Sequence, residues 1–265
     1  MPAAPISPLR IWLAAALLLI AAACTAPPAP SATTEPAAAP PHILVFSHTT
    51  GYRHASIEPG IAALRGLAAE AGYAFTASED PAVFTAEGLA PFDALILLSA
   101  TTQPQDPSSE WLDETGRAAL KGFVHSGRGI AGIHAAADSH YHWPWYRRMI
   151  GAAFARHPPG TPEARIILLK PGDVTVRALP PSFARVDEWY YFSDLDAANL
   201  QIVAAFDPAS IGEPDTSLQP ISWRHEFEGA RIFYTGMGHT AESFTDPLFL
   251  THLSAGLGWV LTGEE

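Results

Sequence analysis

Three short runs, Ile43-Leu44-Val45-Phe46, Ala94-Leu95-Ile96-Leu97-Leu98 and Gly129-Ile130-Ala131-Gly132-Ile133, have no polar side chain at any position. A strand with one wet face alternates apolar and polar residues, so an unbroken run calls for a strand covered on both faces. Segments of helical period lie between the runs. Ser56 is a candidate N-cap with Pro59 in the first turn, and Ile57, Ile61, Leu64 and Ala68 recur at helical spacing before Gly72. A second helix is expected over residues 109–126, with Leu120, Phe123 and Val124 on one face. Buried strands alternating with helices form βαβ units, and those build parallel sheet. Residues 73–76 add a short strand, and the glycines of 129–133 leave room for another backbone to come close. The second half is richer in strands, with 165–169, 173–178, 201–206, 221–227 and 230–234 all reading as extended. A last helix over 246–261 carries Phe249, Leu253, Leu257 and Val260. The expected fold is one α/β unit: a central, largely parallel sheet flanked by helices, with extra strands in the second half.

Before residue 42 the chemistry differs. Arg10 is followed by an unbroken apolar stretch over 11–23, too short to span a bilayer but suited to the core of a secretory signal. Ala21-Ala22-Ala23 then runs into Cys24, which resembles the lipobox of bacterial lipoproteins, with Ala21 where that motif favours leucine. The expectation is a lipoprotein-type signal over 1–23, lipidation of Cys24, and a domain held on the periplasmic side of the envelope. Thr25, rather than aspartate, favours the outer membrane. Residues 24–41 are rich in proline and alanine and lack apolar periodicity, as in a disordered tether. The folded domain is expected over 42–265. Cys24 is the only cysteine, which excludes a disulfide framework, a CxxC pair and thiolate metal clusters within one chain. With 15 Lys+Arg against 27 Asp+Glu the formal charge is −12, which argues against a nucleic-acid partner.

In an open parallel sheet, ligands bind beyond the carboxyl ends of the strands. Three polar clusters fall there: Tyr52, Arg53 and His54 after the first strand; His134, Asp138, His140 and His142 after the fourth; and His239, Thr240 and Glu242 after the last. Histidine suits both proton transfer near neutral pH and metal ligation. A fourth candidate is Asp187-Glu188-Trp189-Tyr190. Its carboxylates should face a pocket or a basic partner such as Arg53, because burying them unpaired is costly. The aromatic rings beside them suit a sugar ring, and the alternative is an edge segment whose rings pack on the core. His157 stands alone in a turn. G-x-S-x-G, Walker A and H-E-x-x-H are all missing from the sequence.

These motifs together resemble the ThuA-like (trehalose-utilisation) family. Gly51-Tyr52-Arg53-His54 resembles its first-loop signature. The stretch from Gly127 to Asp138 resembles its fourth-strand signature, with Gly127-Arg128-Gly129 where consecutive glycines are frequent, and Asp187-Glu188-Trp189-Tyr190 resembles its central D-E-W-Y. Pro220-Ile221-Ser222-Trp223, Tyr234 to Thr240 and Asp246-Pro247 follow in the family's order. The resemblance implies a flavodoxin-like fold of the class I glutamine amidotransferase type. In those enzymes the turn after the central strand presents a cysteine nucleophile. Here the strand leads into His134 and the domain has no cysteine, so thiolate-dependent glutamine hydrolysis is unavailable.

What the resemblance implies instead is carbohydrate catabolism through 3-keto intermediates. On that reading the substrate is a glycoside or 3-keto-sugar, processed by elimination, hydrolysis or isomerisation. His134 is the expected base and Arg53 or His54 the oxyanion stabiliser. Asp187 and Glu188 orient the histidines or grip hydroxyls, and His239 completes the machinery. Tyr52, Asp138, His157, Trp189 and Tyr190 are expected to bind substrate. A variant places a divalent metal among His54, His134 and His239. The alternative is a non-catalytic, carbohydrate-binding envelope lipoprotein.

Overall fold

The computed structural model describes residues 1–2 and 39–265. The expected signal, Cys24 and the proline-rich segment up to residue 38 lie outside the described residues. In chain order the elements are β1 (His42–Phe46), α1 (Ile57–Ala71), β2 (Ala74–Ser78), α2 (Ala86–Leu89), β3 (Ala94–Leu98), α3 (Glu114–His125), β4 (Gly129–Ile133) and α4 (Pro144–Ile150). They continue with β5 (Ala153–Arg156), β6 (Glu163–Leu168), β7 (Ser182–Val186), β8 (Tyr191–Ser193), β9 (Gln201–Asp207), β10 (Gln219–Phe227), β11 (Ala230–Thr235) and α5 (Pro247–Thr262). Nine strands form one sheet in the order β2-β1-β3-β4-β11-β10-β9-β6-β7, and β5 pairs with β8 apart from it. The first five in that order are mutually parallel and the rest pair antiparallel. The fold is the α/β arrangement expected from the sequence.

The apolar runs do what their composition demands. Along β1, Ile43 and Val45 enter the core layer that contains Leu64 of α1 and Leu253 of α5. Leu44 and Phe46 enter the opposite layer, with Leu120 and Phe123 of α3 and Met149 of α4. Among the described residues no helix is long and apolar enough to cross a membrane.

Three local expectations need correction. Residues 173–178 are a turn, not a strand: the Asp173 carboxylate accepts from the Thr175 N–H and hydroxyl, and its carbonyl accepts from the N–H groups of Val176 and Arg177. These bonds satisfy the segment internally, leaving it no need for a neighbouring strand. The helix expected over 109–126 starts only at Glu114, where the Asp113 side chain caps the Gly116 N–H at 2.8 Å. Ser56 stands at the N-cap of α1 but makes no side-chain cap bond, because its backbone is already helical there.

At Gly129 the expected close approach is real. A Cβ there would sit 2.2 Å from the Val260 carbonyl oxygen and 2.7 Å from the Val260 Cβ. Gly129→Ala must push α5 off β4, and a loss of about 1–3 kcal/mol in urea unfolding is expected. His252 of α5 makes a second prediction. It is fully buried, its Nδ1–H donating to the Thr175 carbonyl at 2.9 Å, and burial pushes its pKa down to about 4. The unfolded chain therefore binds a proton at this ring from pH 6.5 downward while the native state does not. Stability should be full above pH 6.5 and fall towards pH 4, by about 3 kcal/mol from this ring. Urea midpoints for wild type and His252→Gln test it, the variant having the flatter pH dependence.

Candidate functional site

Four loops meet at the carboxyl end of the parallel strands. The β1–α1 loop brings His54, the turn after β4 brings His134, the segment between β7 and β8 brings Glu188, and the loop after β11 brings His239. One ligating atom from each of these four side chains lies within 4.8 Å of every other. The imidazole centroids of His54, His134 and His239 are 4.8–5.1 Å apart.

Each ring is held by something specific. His134 has φ of 50°, a left-handed conformation costly for a side chain with a Cβ, and this sharp turn aims it back across the strand ends. Its Nδ1–H donates to the Gly236 carbonyl at 2.8 Å, so in the neutral ring Nε2 presents a lone pair to the cluster. That Nε2 lies 3.2 Å from His239 Nδ1 and 3.5 Å from Glu188 Oε2. Glu188 Oε2 is also 3.2 Å from His239 Nδ1, and Oε1 is 3.2 Å from His157 Nδ1. His54 is buried with its Nδ1 unpartnered among the described residues.

The electrostatics separate the rings. Burial, with the neighbouring His134 and His239, pushes His54 down to about 2, so it is neutral at physiological pH. Burial also works against a charged His239, but hydrogen bonding and charge from Glu188 outweigh it and raise that pKa. For Glu188, burial would raise the carboxyl; the neighbouring His134 and His239 override it and hold the group well below the usual carboxylate range.

The cluster floors a cavity of about 340 Å³ whose walls are Tyr52, Asp138, Phe154, His157 and Tyr190, with His54, Glu188 and His239 at its base. Tyr52 is 65% exposed at the rim and meets His54 edge-on. Phe154 packs on Tyr190 at 4.3 Å between centroids. Asp138 accepts a hydrogen bond from the Tyr141 hydroxyl, and burial pushes its carboxyl up to about 6.

Arg53 and Trp189, expected at the site, stand away from the cavity, while Asp187 and His134 serve it from behind its lining. Arg53 turns outward to Glu58 and Glu79 at 2.6 and 2.9 Å, away from the cavity, and is not available there as an oxyanion stabiliser. Trp189 is wholly buried against Phe206, its indole N–H donating to the Pro162 carbonyl, and touches no cavity surface. Asp187 is wholly buried too, and its basic partner is Arg185 rather than Arg53. Its carboxylate accepts from the N–H groups of Gly238 and His239, both at 2.9 Å, so it positions His239 from behind. His134 is fully buried, its Nδ1 on the Gly236 carbonyl and its Nε2 turned to His239 and Glu188, so it lies behind the cavity lining. Of the further histidines after β4, His140 is buried against Ser139 and Trp111, and His142 faces the Pro104 carbonyl. Phe154 and Arg185 had no signal of their own in the sequence.

The donor set is three imidazoles and one carboxylate, with His54 kept unprotonated by burial and His134 oriented by its bond to Gly236. Such a set fits a divalent first-row metal ion.

A family model described as ThuA, trehalose utilisation, matches residues 42–260. Among solved structures, a ThuA-like protein from Bacteroides uniformis aligns with a TM-score of 0.71 at 22% identity, over 88% of this chain and 96% of that one. A ThuA-like protein from Parabacteroides merdae aligns with a TM-score of 0.66 at 19% identity, over 85% and 91%. Agd3, a carbohydrate deacetylase, aligns with a TM-score of 0.56 at 13% identity, over 84% of this chain and 32% of that one. A search of curated proteins returns no match. The two ThuA-like structures share the fold, and the family model spans nearly all of the described domain: the chain belongs to the ThuA family, the family of trehalose utilisation.

Proposed function

We propose that this protein is a carbohydrate-processing enzyme acting on a glycoside or keto-sugar, and that His54, His134, Glu188 and His239 hold a divalent metal ion at its centre. The observation that carries the reading is the convergence of four ligating atoms within 4.8 Å at the base of an aromatic-walled cavity. Membership of a family named for trehalose utilisation supports the substrate class, as does fold similarity to a carbohydrate deacetylase. An ion so bound supplies a Lewis acid for a carbonyl or hydroxyl oxygen. The protein's own residues do the rest. Gly236 fixes the tautomer of His134, Asp187 fixes the loop of His239, and His157 lies 3.2 Å from the outer oxygen of Glu188. Tyr52, Phe154 and Tyr190 offer ring faces to a sugar.

The test is elemental analysis of the purified protein together with product analysis on the 3-keto derivative of trehalose. About one ion per chain and turnover abolished by a chelator are expected. A metal-free protein with chelator-resistant turnover removes the ion from the reading. Sugar binding without product makes the protein a binding protein.

We also propose export and attachment to the envelope through a lipid on Cys24, on the strength of the apolar stretch and small residues before it. Cys24→Ser should move the protein from the membrane fraction to the soluble periplasmic fraction. An unchanged distribution would reject the anchor.

A further inference from the structure

We propose that Asp138 is the catalytic base of this site and takes the proton from the carbon next to the sugar's carbonyl group. This rests on the keto-sugar reading above and adds the residue that does the proton chemistry.

The geometry singles out Asp138 between the two carboxylates that line the cavity. Both oxygens of Glu188 are engaged, one with His134 and His239 and the other with His157. His134 has no exposure and does not line the cavity. Asp138 uses only Oδ1, which accepts from the Tyr141 hydroxyl; Oδ2 makes no hydrogen bond among the described residues, and Asp138 lines the cavity.

Its backbone is fixed. Asp138 ends the short helical turn His134–Ala137, donating its N–H to the Ala135 carbonyl at 3.0 Å and accepting from the Thr102 N–H at 3.1 Å. Two residues on, the His140 N–H donates to the Thr102 hydroxyl at 2.9 Å. The carboxylate is thereby held at a set place relative to His134, which belongs to the same turn.

The charges around it suit a base. His134 lies on its own turn, Tyr141 on the loop that follows, and Glu188, His157 and Tyr190 face the cavity from other segments. Burial raises the carboxyl to about 6, while the Tyr141 hydrogen bond pulls the other way. Such a group is ionised at neutral pH yet more basic than an ordinary carboxylate, which is the compromise proton abstraction needs.

The step balances without a further reactant. Asp138 Oδ2 forms a bond to the proton, the C–H electron pair becomes the carbon–carbon double bond of an enolate, and the carbonyl π pair moves onto its oxygen. Return of the proton to the same carbon restores the sugar, so in heavy water that carbon acquires deuterium.

The experiment follows deuterium uptake by the 3-keto derivative of trehalose with the full-length protein, beside turnover, metal content and sugar binding. Asp138→Asn should slow exchange and turnover by about 10²–10⁴-fold, with metal content and binding kept. Tyr141→Phe removes the bond that lowers the carboxyl, so the acid limb of the rate should move to higher pH. Exchange by Asp138→Asn at the wild-type rate overturns the proposal, as does loss of metal in that variant or an unmoved limb in Tyr141→Phe. Turnover that survives in Asp138→Asn overturns this assignment alone. A wild-type protein with neither turnover nor exchange overturns the proposed function with it.

Discussion

Glu188→Gln is expected to empty the centre of metal and to lower turnover of the keto-sugar by about 10³-fold or more. The substitution is nearly isosteric, so the cavity keeps its shape. What changes is the charge: Glu188 is the one carboxylate in the cluster, and one of its oxygens lies within 3.5 Å of both His134 and His239. A carboxamide at that place offers no anionic ligand and turns an N–H₂ group or a neutral oxygen towards two imidazoles. The same charge raises the pKa of His239, so the metal-free variant should also show that ring titrating at lower pH than in the metal-free wild type. Elemental analysis, initial rates and histidine resonances in an NMR pH series give three independent readings. A variant that keeps its metal and more than about a tenth of wild-type turnover would count against the centre.

Asp187→Ala is expected to cost about 3–5 kcal/mol of stability, because it removes one of the two carboxylates that pair with the buried Arg185 and leaves buried backbone donors without an acceptor. The Asp187 carboxylate accepts from Arg185 Nε and the Glu188 N–H, both at 3.0 Å, and from the N–H groups of Gly238 and His239. The Ser243 hydroxyl reaches it at 3.3 Å. Removing the side chain leaves Arg185 with Asp246 alone and orphans three backbone donors at once. Because one of those donors belongs to His239, metal affinity should fall as well, by about 10–100-fold as for other groups that orient a ligand from behind. Asp187→Asn keeps the volume but brings an N–H₂ group among donors, and should fall between alanine and wild type. Urea unfolding with an unchanged slope and a lower midpoint is the measurement. A loss below about 1 kcal/mol would mean that Asp187 is not the post on which this loop hangs.

The sequence carried the chemistry of the site but not which way each side chain faces. His54, His134 and His239 are marked by polar loops at the same end of the buried strands, and Glu188 by the adjacent carboxylates of Asp187-Glu188-Trp189-Tyr190. The errors came from adjacent residues. Asp187-Glu188-Trp189-Tyr190 links β7 to β8, and alternate side chains along it point to opposite sides. Asp187 and Trp189 go inward, to Arg185 and to Phe206, while Glu188 and Tyr190 face the cavity. Reading that segment with a period of two would have divided it correctly. Arg53 failed for a different reason: two exposed glutamates, distant in sequence from each other, compete for it, and pairing across loops is invisible without the fold. Phe154 reaches the cavity because β5 pairs with β8, in the register Phe154 with Phe192, a long-range pairing that no local pattern announces. The parallel half of the sheet was legible because burial on both faces leaves unbroken apolar runs. The turn at 173–178 was not, because Asp173 spends its oxygens on its own neighbours, and alternating residue types look the same in either case.

The four side chains of the centre come from positions 54, 134, 188 and 239, one from each of four loops. An ion gripping all four would be a cross-link, closing rings of chain that no disulfide can close in a protein with a single cysteine outside the domain. Folding would then be coupled to loading, with the held ion favouring the native state by mass action, about 2.7 kcal/mol at a hundredfold excess over its dissociation constant. The chemistry of the site and the durability of the domain would depend on the same four bonds.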